Sequence, residues 1–242
     1  TLADITSCPG ESVIIGPETD YPEGTTFEWI QGSGFSNQYA QNPSITPTHT
    51  TTYTLVARGV CNDTVTQTVN VITPDVGLST SNDTTICPGG TATLQVFPTG
   101  NAVAWEWSAD PNFSSIFSTE QTVDVSPENS LTYYVRVRES ECNTYATDYV
   151  RVTIHRFNYS LEPSHIICPN SQIQLTVTNN SSDNLTYHWQ GAGIVSGANT
   201  NSPTVAPTTA TTYTVTITNQ MGCTTTDQVS ITIDNIGSSI GD

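Results

Sequence analysis

A tandem all-β fold is predicted for this chain, and three observations predict it. One pattern occurs three times: Cys8-Pro9-Gly10, Cys87-Pro88-Gly89 and Cys168-Pro169-Asn170 open successive segments at intervals of 79 and 81 residues. Within these segments, Thr91-Ala92-Thr93-Leu94-Gln95-Val96, Gln172-Ile173-Gln174-Leu175-Thr176-Val177 and Tyr213-Thr214-Val215-Thr216-Ile217 alternate with a period of two. That is the pattern of strands with one buried face, rich in Thr, Val, Ile and Tyr. Clusters of Gly, Pro, Asn and Asp punctuate these runs roughly every 8–12 residues, the spacing of a sandwich. No segment of helical period with good helix formers interrupts them. Repetition on this scale makes each unit a small domain of its own.

Each repeat carries the same sequence of features. An aromatic-x-Trp triplet follows the cysteine (Phe27-Glu28-Trp29, Trp105-Glu106-Trp107, Tyr187-His188-Trp189). Next come a Thr-Tyr strand (Thr52-Tyr53, Thr132-Tyr133, Thr212-Tyr213) and a second cysteine (Cys61, Cys142, Cys223). About seven strands per repeat give immunoglobulin-like sandwiches. Trp29, Trp107 and Trp189 fall on the third strand, packing across the two sheets. Tyr53, Tyr133 and Tyr213 start the sixth, at the corner where such domains often place a tyrosine. Sugar stacking on the tryptophans is the alternative, but a position used once per repeat argues for core. The boundaries are 1–73, 74–155 and 156–234. Residues 235–242 read as the start of a further repeat or a linker, since Asp234-Asn235-Ile236-Gly237-Ser238 echoes Pro74-Asp75-Val76-Gly77-Leu78. Short joins around Thr73-Pro74-Asp75 and His155-Arg156 leave little room for hinges, so an elongated rod is expected.

At about 80 residues a unit buries only a thin core and benefits from covalent help. Two cysteines per repeat, six in all, suit an oxidising compartment. No stretch approaches the length of a membrane span, and no signal peptide precedes Thr1. The chain therefore reads as an excerpt of a longer secreted protein. Its net charge of −17 rests on 22 acids against five arginines and no lysine. Such a balance excludes nucleic acid as a partner, because phosphate binding needs clustered cations. Without lysine, Lys–Asn isopeptide staples cannot form.

The cysteine pairing follows from strand direction. The middles of the second and sixth strands are apolar: Ile15 with Leu55, Leu94 with Val135, Leu175 with Val215. Cys8 lies seven residues before Ile15, and Cys61 six after Leu55. Both strands run the same way, so these offsets point to opposite poles. At about 3.3 Å per residue the separation approaches ~40 Å along the strands, whereas a disulfide needs Cα atoms within about 7 Å. Pairing between neighbouring repeats is favoured, joining Cys8 to Cys142 and Cys87 to Cys223. Cys61 and Cys168 then await the preceding and following units. Pairing within repeats (Cys8–Cys61, Cys87–Cys142, Cys168–Cys223) stays open, because an altered strand count reverses the parity.

Repeat two differs from its neighbours on one face. Tyr134, Arg136 and Arg138 point outward from its sixth strand, and Tyr149 and Arg151 from its last, with Tyr145 in the same phase. Tyr and Arg are enriched at binding hot spots, so this patch could dock an acidic neighbour. Cross-strand Arg–Tyr pairing within the sheet is the bland reading. An enzyme is not expected. His49, His155, His165 and His188 are scattered singly, with no metal-ligand spacing, and no Gly-x-Ser-x-Gly elbow exists. Gly32-Ser33-Gly34 and Gly191-Ala192-Gly193 precede no helix and read as hairpin turns. No cofactor is expected; Asp75, Asp83 and Glu162 are oxygen ligands a calcium ion could use, but no DxDxDG-type loop accompanies them.

The order Cys-Pro-Gly, strand, aromatic-x-Trp, Pro-Thr-x-Thr-Thr-Tyr-Thr-Val, Gly-Cys, strand resembles the PKD-like/Ig-like repeats of secreted Bacteroidota proteins. Repeat three matches best, with Pro207 to Val215 and Gly222-Cys223. Ile30-Gln31-Gly32-Ser33 stands where typical PKD domains carry Phe-Gly-Asp-Gly. The resemblance implies a cell-surface or extracellular array of the kind found in adhesins and gliding-associated proteins, exported by the type IX secretion system. The function expected is a structural segment of an extracellular fibre or adhesin stalk, whose partners are further copies or neighbouring repeats. The alternatives are a module binding a glycan or cell-surface protein, and a passive spacer of a secreted enzyme.

Overall fold

The structure is a computed structural model that describes residues 2–234; the segment 235–242, expected to open a further repeat, lies outside the described residues. Among the described residues only strands, turns and bends form. The first set is β1 (Ile5–Thr6), β2 (Val13–Ile14), β3 (Thr26–Gln31), β4 (Ser44–Ile45), β5 (Thr51–Arg58) and β6 (Thr64–Ile72). It makes a sheet β1-β6-β5-β3 and a pair β2-β4. The second set is β7 (Val76–Thr80), β8 (Thr84–Ile86), β9 (Ala92–Gly100), β10 (Ala102–Ser108), β11 (Thr122–Val125), β12 (Leu131–Glu139) and β13 (Tyr145–Ile154). Its sheets are β10-β12-β13-β8 and β11-β9-β7.

The third set comprises β14 (Tyr159–Leu161), β15 (His165–Ile167), β16 (Ile173–Gln174), β17 (Val177–Asn179), β18 (Thr186–Gln190), β19 (Ile194–Ser196), β20 (Thr204–Val205), β21 (Thr211–Thr218) and β22 (Thr224–Ile233). These form β15-β22-β21-β18, β16-β20-β19 and the pair β14-β17. No sheet takes strands from two sets, so the chain is all-β, with immunoglobulin-like sandwiches in tandem. The stretch expected as one strand at 172–177 is divided, because β16 pairs with β20 while β17 pairs with β14.

By contacts the chain separates into two compact units. One holds Thr1–Asp83, Thr93–Val125 and Leu131–Arg151, the other Thr84–Ala92, Ser126–Ser130 and Val152–Asp242. The division cuts through the second sandwich: most of it belongs with the first, and one end of it with the third. This differs from a partition into three equal repeats. Its physical cause is that each end of the second sandwich is fastened to a neighbour.

A short parallel pairing sets the position of every first cysteine. β1 lies parallel to β6 with Thr6 opposite Ile72, β8 parallel to β13 with Ile86 opposite Ile154, and β15 parallel to β22 with Ile167 opposite Ile233. In the second set β7 pairs antiparallel with β9 in the other sheet, so the chain changes sheets at 81–83. The leading strand thus ends beside the last residues of the same sandwich, and Cys8, Cys87 and Cys168 follow at that pole.

The apolar pairs expected in the strand middles are buried: Ile15, Leu55, Leu94, Val135, Leu175 and Val215 are at most 1% exposed. Trp29, Trp107, Trp189, Tyr53, Tyr133 and Tyr213 are buried with them, so the tryptophans offer no stacking face to a sugar. Each indole N–H is satisfied by one backbone carbonyl: Trp29 donates to Ala40 (3.1 Å), Trp107 to Glu120 (3.0 Å) and Trp189 to Thr200 (3.0 Å). A buried indole needs such a partner, and here it also pins the segment that follows the third strand. The two glycine turns have a further role. A Cβ on Gly32 would strike the Tyr53 ring, and one on Gly191 the Tyr213 ring. Tyr213 donates its hydroxyl to the Ala192 carbonyl in that turn (2.5 Å).

Gly32 and Gly34 make an internal control, since both have positive φ but nothing lies within 4 Å of a Cβ on Gly34. Gly34→Ala is expected to cost about 1 kcal/mol through backbone strain alone. Gly32→Ala adds overpacking against Tyr53 and is expected to cost about 3 kcal/mol. Denaturant midpoints of the two variants check the difference.

Candidate functional site: the cysteine-bearing poles

The structure bonds Cys8 to Cys142 and Cys87 to Cys223, with Cα–Cα distances of 5.3 and 5.2 Å and sequence separations of 134 and 136. Each bridge lies within one compact unit. Each runs from the first cysteine of one repeat to the second cysteine of the next, and pairing within a repeat does not occur. Cys61 and Cys168, expected to await cysteines of the preceding and following units, carry free exposed thiols. That is the state that pairing between neighbouring repeats expects of them in this chain, whereas pairing within repeats would have closed both.

Both partners are shaped by local sequence. Cys-Pro-Gly/Asn is a tight turn in all three repeats. The amides of Glu11, Gly90 and Ser171 donate to the carbonyls of Cys8, Cys87 and Cys168 (3.0, 2.9 and 3.2 Å). Gly10, Gly89 and Asn170 sit at φ of 79°, 73° and 62°, a conformation that glycine and asparagine tolerate best. The second cysteine sits in the turn after the sixth strand. The inward phase of that strand runs Tyr133, Val135, Val137 and then Glu139 in repeat two, and Tyr213, Val215, Ile217 and then Asn219 in repeat three.

These two buried polar residues hold the turns that carry the bonded cysteines. The Glu139 carboxylate accepts the amides of Glu141 (2.8 Å) and Cys142 (2.6 Å). Asn219 Oδ1 accepts those of Met221 (3.0 Å) and Cys223 (2.9 Å). The backbone donors at Glu141 and Cys142 keep the Glu139 carboxyl below its ordinary value, outweighing its burial. In repeat one the same phase ends on Gly59, where the Asp63 carboxylate fills the space a side chain would take. Sequence reasoning did not single out Glu139 or Asn219, although a polar residue on the inward phase of an apolar strand was the available signal.

The joins are fastened as well. At the first, the Thr73 amide donates to Thr50 Oγ1 (3.0 Å), and the Asp75 carbonyl accepts from the Asn101 amide (2.8 Å). At the second, the His155 amide donates to the Ile86 carbonyl (2.9 Å), while its ring Nε2 lies 2.9 Å from Oδ1 of the buried Asp183. Arg156 donates to the Glu128 carbonyl (2.6 Å).

The patch on repeat two is largely engaged with itself. Arg136 pairs with Glu106 directly across the sheet (Nε–Oε2 2.6 Å) and lies between the rings of Phe113 and Tyr145, 4.7 and 4.9 Å from their centroids. Tyr134 and Tyr149 contact each other at 6.3 Å. Arg138 is half-buried, while Tyr145, Tyr149 and Arg151 are exposed. Among the described residues no group of three or more His, Cys, Asp or Glu could hold a metal ion. Asp83 accepts the Arg151 amide (2.8 Å) and Glu162 the Thr176 amide (2.7 Å). Among the described residues no helix is long and apolar enough to cross a membrane.

Residues 73–155 match the family model described as Ig-like domain, CHU_C associated. No curated protein matches the chain. Among solved structures, the three N-terminal domains of the highly immunogenic outer capsid protein (Hoc) of bacteriophage RB49 align over 94% of this chain and 96% of theirs, at 11% identity and a TM-score of 0.49. The I67–I69 fragment of the titin I-band aligns over 96% of each chain, at 10% identity and a TM-score of 0.46.

The depressed Glu139 carboxyl contributes order that is present above the unfolded carboxylate value of about 4.3 and is lost as pH falls through the lower folded value. Hydrogen exchange at the Glu141 and Cys142 amides is therefore expected to show protection at neutral pH that disappears only in acid below the ordinary glutamate range. Glu139→Ala is expected to remove it at neutral pH, with exchange roughly tenfold faster, while Cys223 keeps its protection through Asn219.

Proposed function

We propose that this chain is a non-catalytic, load-bearing segment of an extracellular fibre or cell-surface adhesin stalk, in which immunoglobulin-like units act in series. One observation carries the reading: both disulfides link the pole of one repeat to the turn of the next, so the covalent reinforcement lies at the junctions rather than in the cores. A binding or catalytic module gains most from reinforcing its site. A tension element gains most from locking the joints between units. The disulfides support an oxidising, extracellular setting, and the net charge of −17 keeps the segment soluble there. The fastened joins at Thr73–Asp75 and His155–Arg156 fit the same role.

Pulling single molecules from points outside Cys8 and Cys223 tests it. The two disulfide loops overlap between Cys87 and Cys142, and the shortest covalent path crosses both bridges and only the roughly 55 residues between them. At about 3.4 Å per residue, full extension is expected to stop near ~190 Å with the bridges intact and near ~700 Å after reduction. Equal extension before and after reduction would take the bridges out of the load path and remove the proposal. Peptide mapping with a low-specificity protease, needed because lysine is absent, identifies the bridged pairs in the same sample.

A further inference from the structure

The two free cysteines are the two halves of the junction already formed twice within the chain. Cys168 lies in a Cys-Pro-Asn turn with the same hydrogen bond and the same positive φ at its third residue as the turns of Cys8 and Cys87. Both of those are bonded to second cysteines of the following repeat. Cys61 lies in the corresponding turn of repeat one, followed by Asn62 at φ 64°, as Cys142 is followed by Asn143 at φ 51°. The rule holds at both places where the chain can express it.

The surface beside Cys61 supplies the independent observation. An open cleft of about 430 Å³ adjoins the thiol, lined by Tyr21, Pro22, Val60 and Val65. Val60 is 75% exposed and Val65 46% exposed. In repeat three, Cys223 also adjoins a cleft, of about 250 Å³, and Pro88 of the Cys87-Pro88-Gly89 turn forms part of its wall. Beside Cys223 the bonded turn places its proline against the cleft; beside Cys61 the apolar wall is left uncovered.

The geometry points to the Cys168-Pro169-Asn170 turn of a second copy as the partner of this cleft, with a Cys61–Cys168 disulfide between copies. The inference rests on the proposed load-bearing role and extends it: the segment is polymerisable, with one donor turn and one acceptor cleft. Formation proceeds by thiol–disulfide exchange. The Cys61 thiolate attacks a disulfide oxidant such as oxidised glutathione, giving a mixed disulfide and one released thiol. The Cys168 thiolate of the other copy then displaces the second thiol. The two cysteines lose two protons and two electrons, and the oxidant's disulfide is reduced to two thiols. With a net charge of −17 on each copy, non-covalent association is opposed, and the bridge and the apolar seat must hold the pair together.

Cys61→Ser and Cys168→Ser, each at an exposed thiol, leave one reactive half per molecule. Mixed in a glutathione redox buffer at physiological salt, they are expected to give the Cys61–Cys168 heterodimer well above the roughly one-half share that random pairing of two equally reactive thiols provides. The parent chain is expected to give a ladder of oligomers, and Val60→Ser with Val65→Ser to return the heterodimer towards the random share. Homodimers in random proportion, a Cys61–Cys168 bond within one molecule, or glutathione adducts alone would overturn the inference. Peptide mapping of the same samples keeps the two readings apart. Intact Cys8–Cys142 and Cys87–Cys223 without the heterodimer would end the polymer and leave the load-bearing segment standing. Absence of those two bridges would end both.

Discussion

Each sandwich is closed across its middle by apolar contact at the place where an antibody-type domain puts its disulfide. Ile15 and Leu55 share one core with Trp29, and Leu175 and Val215 share another with Trp189. Everything else about the cysteines depends on that substitution. With the centre of the domain closed by aliphatic side chains and an anchored indole, no cysteine is needed there. The parallel pairing of the leading strand with the last strand then fixes the first cysteine at one pole, and the sixth strand carries the second to the other. A Trp or Tyr change would therefore disturb the junctions as well as the cores, because the strands that aim the cysteines are registered on those side chains.

The thinness of the cores explains why reinforcement at the poles is worth having. A unit of about 80 residues buries too small a fraction of its surface to be more than marginally stable by itself. Loops of 134 and 136 residues are long, and in the chain-entropy account each closure removes about 4–5 kcal/mol of unfolded-state freedom. Because the loops span two repeats each, that stabilisation is shared between neighbours rather than confined to one domain. The contact-based division of the chain shows the same thing from the folded side, since the second sandwich divides its loyalties between the units that flank it.

Much of this was legible in the residues. The period-two runs, the repeated Trp and Tyr and the turn clusters lead to tandem sandwiches because each is a direct imprint of a buried face or a bend. The offset of Cys8 before Ile15 and of Cys61 after Leu55 carried strand direction, which is why counting alone could speak about poles. What counting could not supply was tertiary. The division of 172–177 into β16 and β17 depends on which strands arrive beside it. The engagement of Arg136 depends on Glu106 standing across the sheet and on Phe113 arriving from a loop. Gly32 and Gly191 read as ordinary turn glycines until the tyrosine rings that pass over them are in place. Glu139 and Asn219 were visible as polar residues in an apolar phase, but their work, gathering the amides of a cysteine turn, belongs to the loop's three-dimensional path.

The long reach of the disulfides also orders events during biogenesis. As the chain emerges, Cys61 becomes available to Cys8 long before Cys142 does, and an unfolded chain would close the shorter loop first. The structure holds the longer one, with Cys61 still a thiol. Reaching that pairing requires repeat one to fold and separate its own cysteines, whether before Cys8 is first oxidised or by exchange out of a Cys8–Cys61 bond. The final bond to Cys142 also waits until about 80 further residues are made and folded. Folding acts here as the proofreader of oxidation, and each finished repeat becomes the template on which its predecessor is sealed.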